Sequence, residues 1–340
     1  MKVLLVRPSS MGDIIQTLPA ITDAYRNVPS IQIDWVVEEA FAEIPAWHLQ
    51  LHKIIEVAVR RWKKNVLSKH NWIEFFQWRQ TLRHESYDLI IDAQGQVKSA
   101  IMSLLARGKR AGLDKASAHD GIISKFYHQQ YTINRADHNT TRMRDLFRQA
   151  LGYPLPTTPP DFGLNHDLFQ LDPANNNYLV FLHGTTWNNK FWPESYWASL
   201  ATIATQTGYH IKIPTYNAQE RIRAQHIANN HPHIEILAEK KLHALAKILA
   251  NAKGVVSVDT GLGHLSAVLK TPTLLLYGPT CPILVGSIGP KSNNLTATFP
   301  CAPCLKRECH YKGESAIFPA CFSTLSPELV WEKLQLLMHN

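Results

Sequence analysis

A chain of 340 residues is longer than one hydrophobic core usually organises, because cores split above about 250–300 residues, so two domains are expected. Hydrophobic residues make up 45% and charged residues 18%, which excludes a disordered chain. The formal net charge of +8 favours an acidic partner (nucleic acid, anionic lipid or a phosphorylated small molecule) over the plainer reading of a generally basic, soluble surface.

The first residues, MKVLLVRPSSMGD, hold an apolar run too short for a signal peptide. Residues 2–7 (KVLLVR) read as a buried strand of the parallel type, followed by a loop over 8–12. A helical pattern starts near Asp13, with Ile14, Leu18 and Ile21 on one face and Pro19 as a point of irregularity. Residues 31–37 (IQIDWVV) and 87–91 (YDLII) read as further strands. Between them, Trp72, Phe75 and Phe76 share a helical face near Trp78. Core packing is the expected role of these aromatics, and a lipid-touching helix is the alternative.

The pattern weakens over 165–177, just after the Pro-rich stretch 154–160, and the connection between domains is expected there. Strands then resume at 178–182, 210–213, 234–237, 254–258 and 273–277, with helical stretches between them at 196–207 and 242–251. A last helix is expected over 327–338, behind a Ser-Pro start. The alternation predicts an α/β chain with two doubly wound domains in tandem, binding ligands at the carboxyl ends of their strands. No segment reaches the ~18–20 apolar residues of a membrane span, so the protein is expected to be cytoplasmic, with any membrane contact peripheral.

Two strand-to-helix turns are suited to phosphate. Asp259-Thr260-Gly261-Leu262-Gly263-His264 follows an apolar strand and precedes a helix, so backbone N–H groups and a positive helix end converge there. The turn His183-Gly184-Thr185-Thr186, followed by Lys190, offers hydroxyls and an ammonium past another strand. At the first turn, Asp13 after Gly12 is either a helix cap or a general base. The run Arg60-Arg61-Trp62-Lys63-Lys64, with Lys98, is a solvated face or an anion-binding patch, and no nucleic-acid-binding motif accompanies it. Cys301, Cys304, Cys309 and Cys321 lack the paired spacing of a standard zinc site, and free thiols are expected rather than a metal.

These motifs recur in one order: SSMGD, the acidic stretch 34–39, VRRWKK at 59–64, DAQGQVKS at 92–99, HGTT with Lys190 and Pro193, and SVDTGLGHL at 257–265. Together they resemble the lipopolysaccharide core heptosyltransferases, family nine of the glycosyltransferases. The resemblance implies a GT-B fold, two Rossmann-like domains facing across a cleft. Residues 1–164 would bind the acceptor and 175–325 the nucleotide sugar, with a helix at 326–340 packing back on the first domain. It implies inverting transfer of L-glycero-D-manno-heptose from ADP-heptose to the Kdo of Kdo2-lipid A, at the inner face of the cytoplasmic membrane, with no metal cofactor.

By position, the resemblance implies that Asp13 is the base that deprotonates the acceptor hydroxyl. Thr185, Thr186, Lys190, Asp259, Thr260, Gly261 and His264 would hold the donor, and Glu220 its ribose. Ser10, Arg60, Arg61, Lys63, Lys98 and His119 would meet the acidic acceptor. The cysteine-bearing tail is more like the members that add the second heptose, so a different acceptor stays open. A basic nucleic-acid-binding or inert scaffold protein is the distant alternative.

Overall fold

The computed structural model describes residues 1–170 and 177–339. The chain divides into two compact units, Met1–Asn165 and His166–Asn340. The expected start of the second domain at 175 lies outside the described residues.

The first unit runs β1 (Lys2–Val6), α1 (Met11–Asn27), β2 (Gln32–Glu38), α2 (Glu43–Ala46), β3 (Lys53–Val57), α3 (Val59–Lys64), α4 (Lys69–His84), β4 (Ser86–Asp92), α5 (Val97–Leu105), β5 (Arg107–Leu113), β6 (Gln129–Tyr131) and α6 (Asn139–Leu151). Its six strands are parallel, in the order β3-β2-β1-β4-β5-β6. β1 is apolar on both faces because helices cover both, and Val3, Leu4, Leu5 and Val6 are all fully buried. On one side, Leu4, Val6, Ile55 and Ile90 pack under Trp78 and Leu82 of α4 and Met102 of α5. α1 packs along α6, and the buried Arg144 of α6 makes a forked ion pair with Asp23 of α1 at 2.6 and 3.2 Å. α1 continues through Pro19, which is buried within it.

The second unit runs β7 (Tyr178–Leu182), α7 (Glu194–Gln206), β8 (His210–Pro214), α8 (Ala218–Ala228), β9 (Ile234–Leu237), α9 (Leu242–Ala250), β10 (Gly254–Val258), α10 (Gly261–Val268), β11 (Thr273–Tyr277), α11 (Pro282–Val285), β12 (Ser292–Thr296) and α12 (Pro327–His339). The sheet order is β12-β11-β10-β7-β8-β9, again parallel. Each sheet therefore places its first and fourth strands side by side, and the strand order reverses between them. That switch point opens a crevice at the carboxyl ends where doubly wound folds bind ligands. The C-terminal helix is built into the core of the second unit. Val330, Trp331 and Leu334 of α12 join Trp192, Trp197 and Phe322 there.

One expectation is corrected. Trp72 and Phe76 are 52% and 58% exposed rather than packed in the core, whereas Trp78 is buried. Only the other face of α4 meets the sheet, so Phe75, Trp78 and Leu82 turn inward and positions 72, 73 and 76 turn out. Among the described residues, no helix is long and apolar enough to cross a membrane.

Candidate active site

At the switch point of the first sheet, β1 ends at Val6 and the chain turns through Arg7–Ser10 into α1. Asp13 lies in the first turn of α1, where a carboxylate complements the free N–H groups. Its two oxygens have separate partners. Oδ2 accepts from the Ser10 backbone N–H at 3.0 Å and the Ser10 hydroxyl at 2.7 Å. Oδ1 accepts from Arg7 Nη2 at 2.9 Å and Asn139 Nδ2 at 3.3 Å. Asp13 therefore caps its helix, yet a third of its side chain remains exposed to a reactant. Burial opposes its ionisation, but the Arg7 guanidinium and the Ser10 donors outweigh it and hold the carboxyl below its ordinary range. It is a carboxylate at neutral pH.

The Arg7 side chain is buried and also donates to the Ala93 carbonyl, beyond the end of β4. Asn139, at the start of α6, passes a second N–H to Gln16 Oε1 at 2.7 Å. Neither Arg7 nor Asn139 was singled out from sequence. The available signal was an arginine closing an otherwise apolar strand, where burial demands a partner.

Basic groups gather around this turn. Lys98, in the first turn of α5, donates to Ser9 Oγ at 2.6 Å. Burial lowers its pKa, aided by Arg60 and Lys63 and opposed by Glu38 and Asp13, so these charges form one cluster. The Arg60 N–H holds Glu38 at 2.8 Å, and its guanidinium lies 4.7 Å from the Phe41 ring centre. Arg61 turns elsewhere. It forms a fork on Glu39 at 3.0 and 3.1 Å and reaches Glu74 at 2.6 Å, so its charge is already neutralised. His119 is exposed and paired with Asp120 at 2.8 Å.

At the switch point of the second sheet, Lys190 follows β7 and Asp259 follows β10. Lys190 Nζ meets Asp259 Oδ2 at 2.7 Å, and the Thr280 hydroxyl donates to the same oxygen at 2.7 Å. His264 Nε2 lies 3.7 Å from the other oxygen. Burial raises the Asp259 pKa, but His264 and Lys190 overcome this and hold it far below the ordinary carboxylate range. The Lys190 ammonium also sits 4.6 Å from the centre of the Trp187 ring. Thr260 is the N-cap of α10, so the helix opens toward this pair with its positive end.

Thr185 and Thr186 lie on the turn after β7, and Thr186 is exposed. Glu220, in the first turn of α8, faces that turn. A Cβ added at Gly184 would stand 2.8 Å from its Oε1, while its Oε2 accepts the Tyr216 N–H. Lys190, Asp259, Thr260, Gly261, His264, Glu220 and the two threonines are thus gathered around the carboxyl ends of β7, β8 and β10.

The cysteine tail adjoins the same turn. Cys301, Cys304, Cys309 and Cys321 line one cavity of about 250 Å³ with Asn189 and Gly278. All four are free thiols, and Cys321 is pushed up to about 12, first by burial and then by its three neighbours. Among the described residues, no three histidines, cysteines or carboxylates are grouped to hold a metal ion. Buried Asn189, next to Lys190, donates to the Lys306 carbonyl at 3.0 Å and to Cys304 Sγ at 3.4 Å, so the tail supports the lysine turn.

Comparison with known proteins shows the family. The sequence profile of glycosyltransferase family 9 (heptosyltransferase) matches residues 75–314. Lipopolysaccharide heptosyltransferase 1 of Pseudomonas aeruginosa is 45% identical, over 99% of this chain and 98% of that protein. The enzyme of the same name from Escherichia coli is 44% identical, over 85% of this chain and 91% of that one. The solved structure of Escherichia coli heptosyltransferase WaaC with ADP superposes with a TM-score of 0.87 at 38% identity, covering 99% of this chain and all of the other. WaaC with ADP-2-deoxy-2-fluoro heptose gives a TM-score of 0.83 over 99% of each chain. The chain belongs to glycosyltransferase family 9, the heptosyltransferases.

Proposed function

We propose that this protein is an inverting transferase that moves L-glycero-D-manno-heptose from ADP-heptose to the Kdo of Kdo2-lipid A in the lipopolysaccharide inner core. One observation carries the reading. The switch point of one sheet bears an ionised carboxylate with a third of its side chain exposed, and that of the other bears a lysine and a helix N-terminus suited to a diphosphate.

Asp13 takes the proton of the attacking Kdo hydroxyl, and that oxygen bonds to the anomeric carbon of heptose. The bond from this carbon to the phosphate oxygen breaks on the opposite face, which inverts the centre and releases ADP. Lys190 and the positive end of α10 stabilise the charge growing on the diphosphate, with Asp259 and His264 fixing Lys190 in place. Glu220 accepts hydrogen bonds from the ribose, beside Thr185 and Thr186. Ser10, Arg60, Lys63, Lys98 and His119 meet the Kdo carboxylates. Because cationic groups of the chain stabilise the leaving group, transfer is expected to continue in EDTA. A lipid-anchored acceptor places the work at the inner face of the cytoplasmic membrane, with the protein held peripherally.

The test is mass-shift transfer from ADP-heptose to Kdo2-lipid A and, side by side, to its heptosylated product. Transfer to the first, lost in Asp13→Ala while ADP binding persists, is the expected result. Transfer only to the heptosylated acceptor would move the assignment to the next heptose of the core.

A further inference from the structure

The outer surface of the α4–α5 layer carries an extended apolar area. α4 has two apolar faces. Phe75, Trp78 and Leu82 pack inward, whereas Trp72, Ile73 and Phe76 form an outward stripe, each more than half exposed. Val66 and Leu67, in the loop before α4, are exposed too, Leu67 at 89%. α5 lies beside α4, and its Val97, Ile101 and Leu104 fall one helical turn apart with 39% to 51% of each side chain in solvent. The 3-10 turn Gly121–Phe126 packs against α5 and adds the exposed Ile122 and Phe126.

Soluble proteins seldom leave so much contiguous apolar surface unless something binds it. Lysines flank it: Lys63 and Lys64 in α3, Lys69 at the start of α4 and Lys125 in the 3-10 turn, all exposed. The neighbouring carboxylates offset them only in part, because Glu39 and Glu74 share Arg61 and Asp120 is bonded to His119. Apolar and tryptophan side chains between lysines are the make-up of a surface that lies in a lipid interface. A second copy of this chain is the rival occupant, but a symmetric contact through this face would bring one cationic rim against another.

We propose that this face docks on the anionic phospholipid interface of a bilayer. Leu67, Trp72, Ile73 and Phe76 enter the boundary between headgroups and acyl chains, and Lys64, Lys69 and Lys125 meet lipid phosphates. The inference deepens the membrane-anchored acceptor reading above and rests on it.

The experiment floats the full chain with acceptor-free vesicles of phosphatidylethanolamine and phosphatidylglycerol, and with phosphatidylcholine vesicles. Binding to the anionic vesicles, weakened by salt, is expected. Ile73→Glu combined with Phe76→Glu should reduce it roughly tenfold or more, since the apolar groups supply the insertion. The same variant should transfer heptose normally to a water-soluble Kdo acceptor without acyl chains. Brominated lipid should quench wild-type tryptophan fluorescence, and Trp72→Phe should remove most of that quenching. The proposal is overturned if the wild type binds only vesicles that carry the acceptor, if the double variant binds as well as the wild type, or if Trp72→Phe leaves quenching intact. A dimer in sedimentation that the double variant dissolves would assign the face to a second copy instead. Vesicle binding without transfer to either acceptor would remove the heptosyltransfer reading and leave the docking face standing.

Discussion

The ammonium of Lys190 and the carboxylate of Asp259 stand 2.7 Å apart, carried by the ends of adjacent central strands of the second sheet. Both side chains are largely buried, at 16% and 7% exposure, so each stabilises a charge that would otherwise be costly to hold there. A lysine has three donors, and Asp259 takes one, which fixes the direction of the others. The pair therefore sets the direction of the donors left for the proposed diphosphate site.

Lys190→Ala leaves Asp259 buried without its ammonium. A loss of about 3 kcal/mol in stability is expected from the stranded charge, read as a lower urea midpoint. ADP affinity, measured by calorimetry, should fall at least roughly tenfold as a charge-assisted contact is lost. Asp259→Asn keeps the ammonium and should weaken ADP less than Lys190→Ala does. Unchanged ADP affinity in Lys190→Ala would remove Lys190 from the donor site.

Arg7 and the two donors of Ser10 hold Asp13 ionised, with Asn139 bonded to the same carboxylate oxygen as Arg7. With the carboxyl held below its ordinary range, the acid limb of kcat/KM in the wild type should lie below that range too. Arg7→Met removes the main stabilising charge while burial stays, so the limb should move toward neutral pH. Asn139→Asp sets a like charge beside Oδ1 and should move it the same way with Arg7 intact. The other cations near Asp13, Lys98 and Arg142, are unchanged in both variants. A limb that stays in place in both variants would mean that another group sets it.

Two buried histidines, one in each unit, link stability to acid. Burial depresses His48 and His183 to about 4 from an ordinary value of 6.5. His48 Nδ1 accepts the Gln50 N–H, so its proton sits on Nε2 and is donated to Thr22 Oγ1 at 3.0 Å. The backbone of Pro214 favours the charged form of His183, but burial prevails. The folded state resists protonation that the unfolded chain accepts. Each histidine therefore stabilises fully above pH 6.5, and its contribution is lost as pH falls toward 4, by about 3 kcal/mol. Urea unfolding at pH 7.5, 6 and 5 should show the decline within that window, and His48→Gln should flatten it. A flat profile between pH 7 and 5 would show that these rings do not titrate with folding.

The strands that read clearly are those buried on both faces, such as KVLLV and GVVSV, because only an unbroken apolar run suits that place. β5, RGKRAGL, was not legible. Its first half is charged and solvent-facing, and it is held by parallel pairing to β4 on one side and β6 on the other. β12, SNNLT, is a polar edge strand and failed for a related reason. Among site residues, Asp13 and Lys190 were visible because each follows a strand end. Arg7 and Asn139 were not, because they meet Asp13 only after α6 has packed on α1. The outward turn of Trp72 and Phe76 also depends on which face of α4 the sheet covers, and periodicity alone does not fix that.

α10 opens on the proposed diphosphate site. Gly263 lies in the first turn of α10, and a Cβ there would stand 2.5 Å from Ser257 Oγ and 2.9 Å from Leu275 Cδ2. Alanine is the better helix former by about 1 kcal/mol, so intrinsic propensity favours Gly263→Ala. Packing opposes it, because Ser257 is fully buried and its hydroxyl is tied to the Val258 carbonyl at 2.7 Å. Overpacking of this kind costs roughly 1–3 kcal/mol, which outweighs the propensity gain. The helix should lift from the sheet and carry its N-terminus off the phosphate position. Gly263→Ala is thus expected to lower both the urea midpoint and ADP affinity, and adding Ser257→Ala should recover part of each. A more stable Gly263→Ala protein with full ADP affinity would show that α10 has room to spare and that its close seating does not aim the donor site.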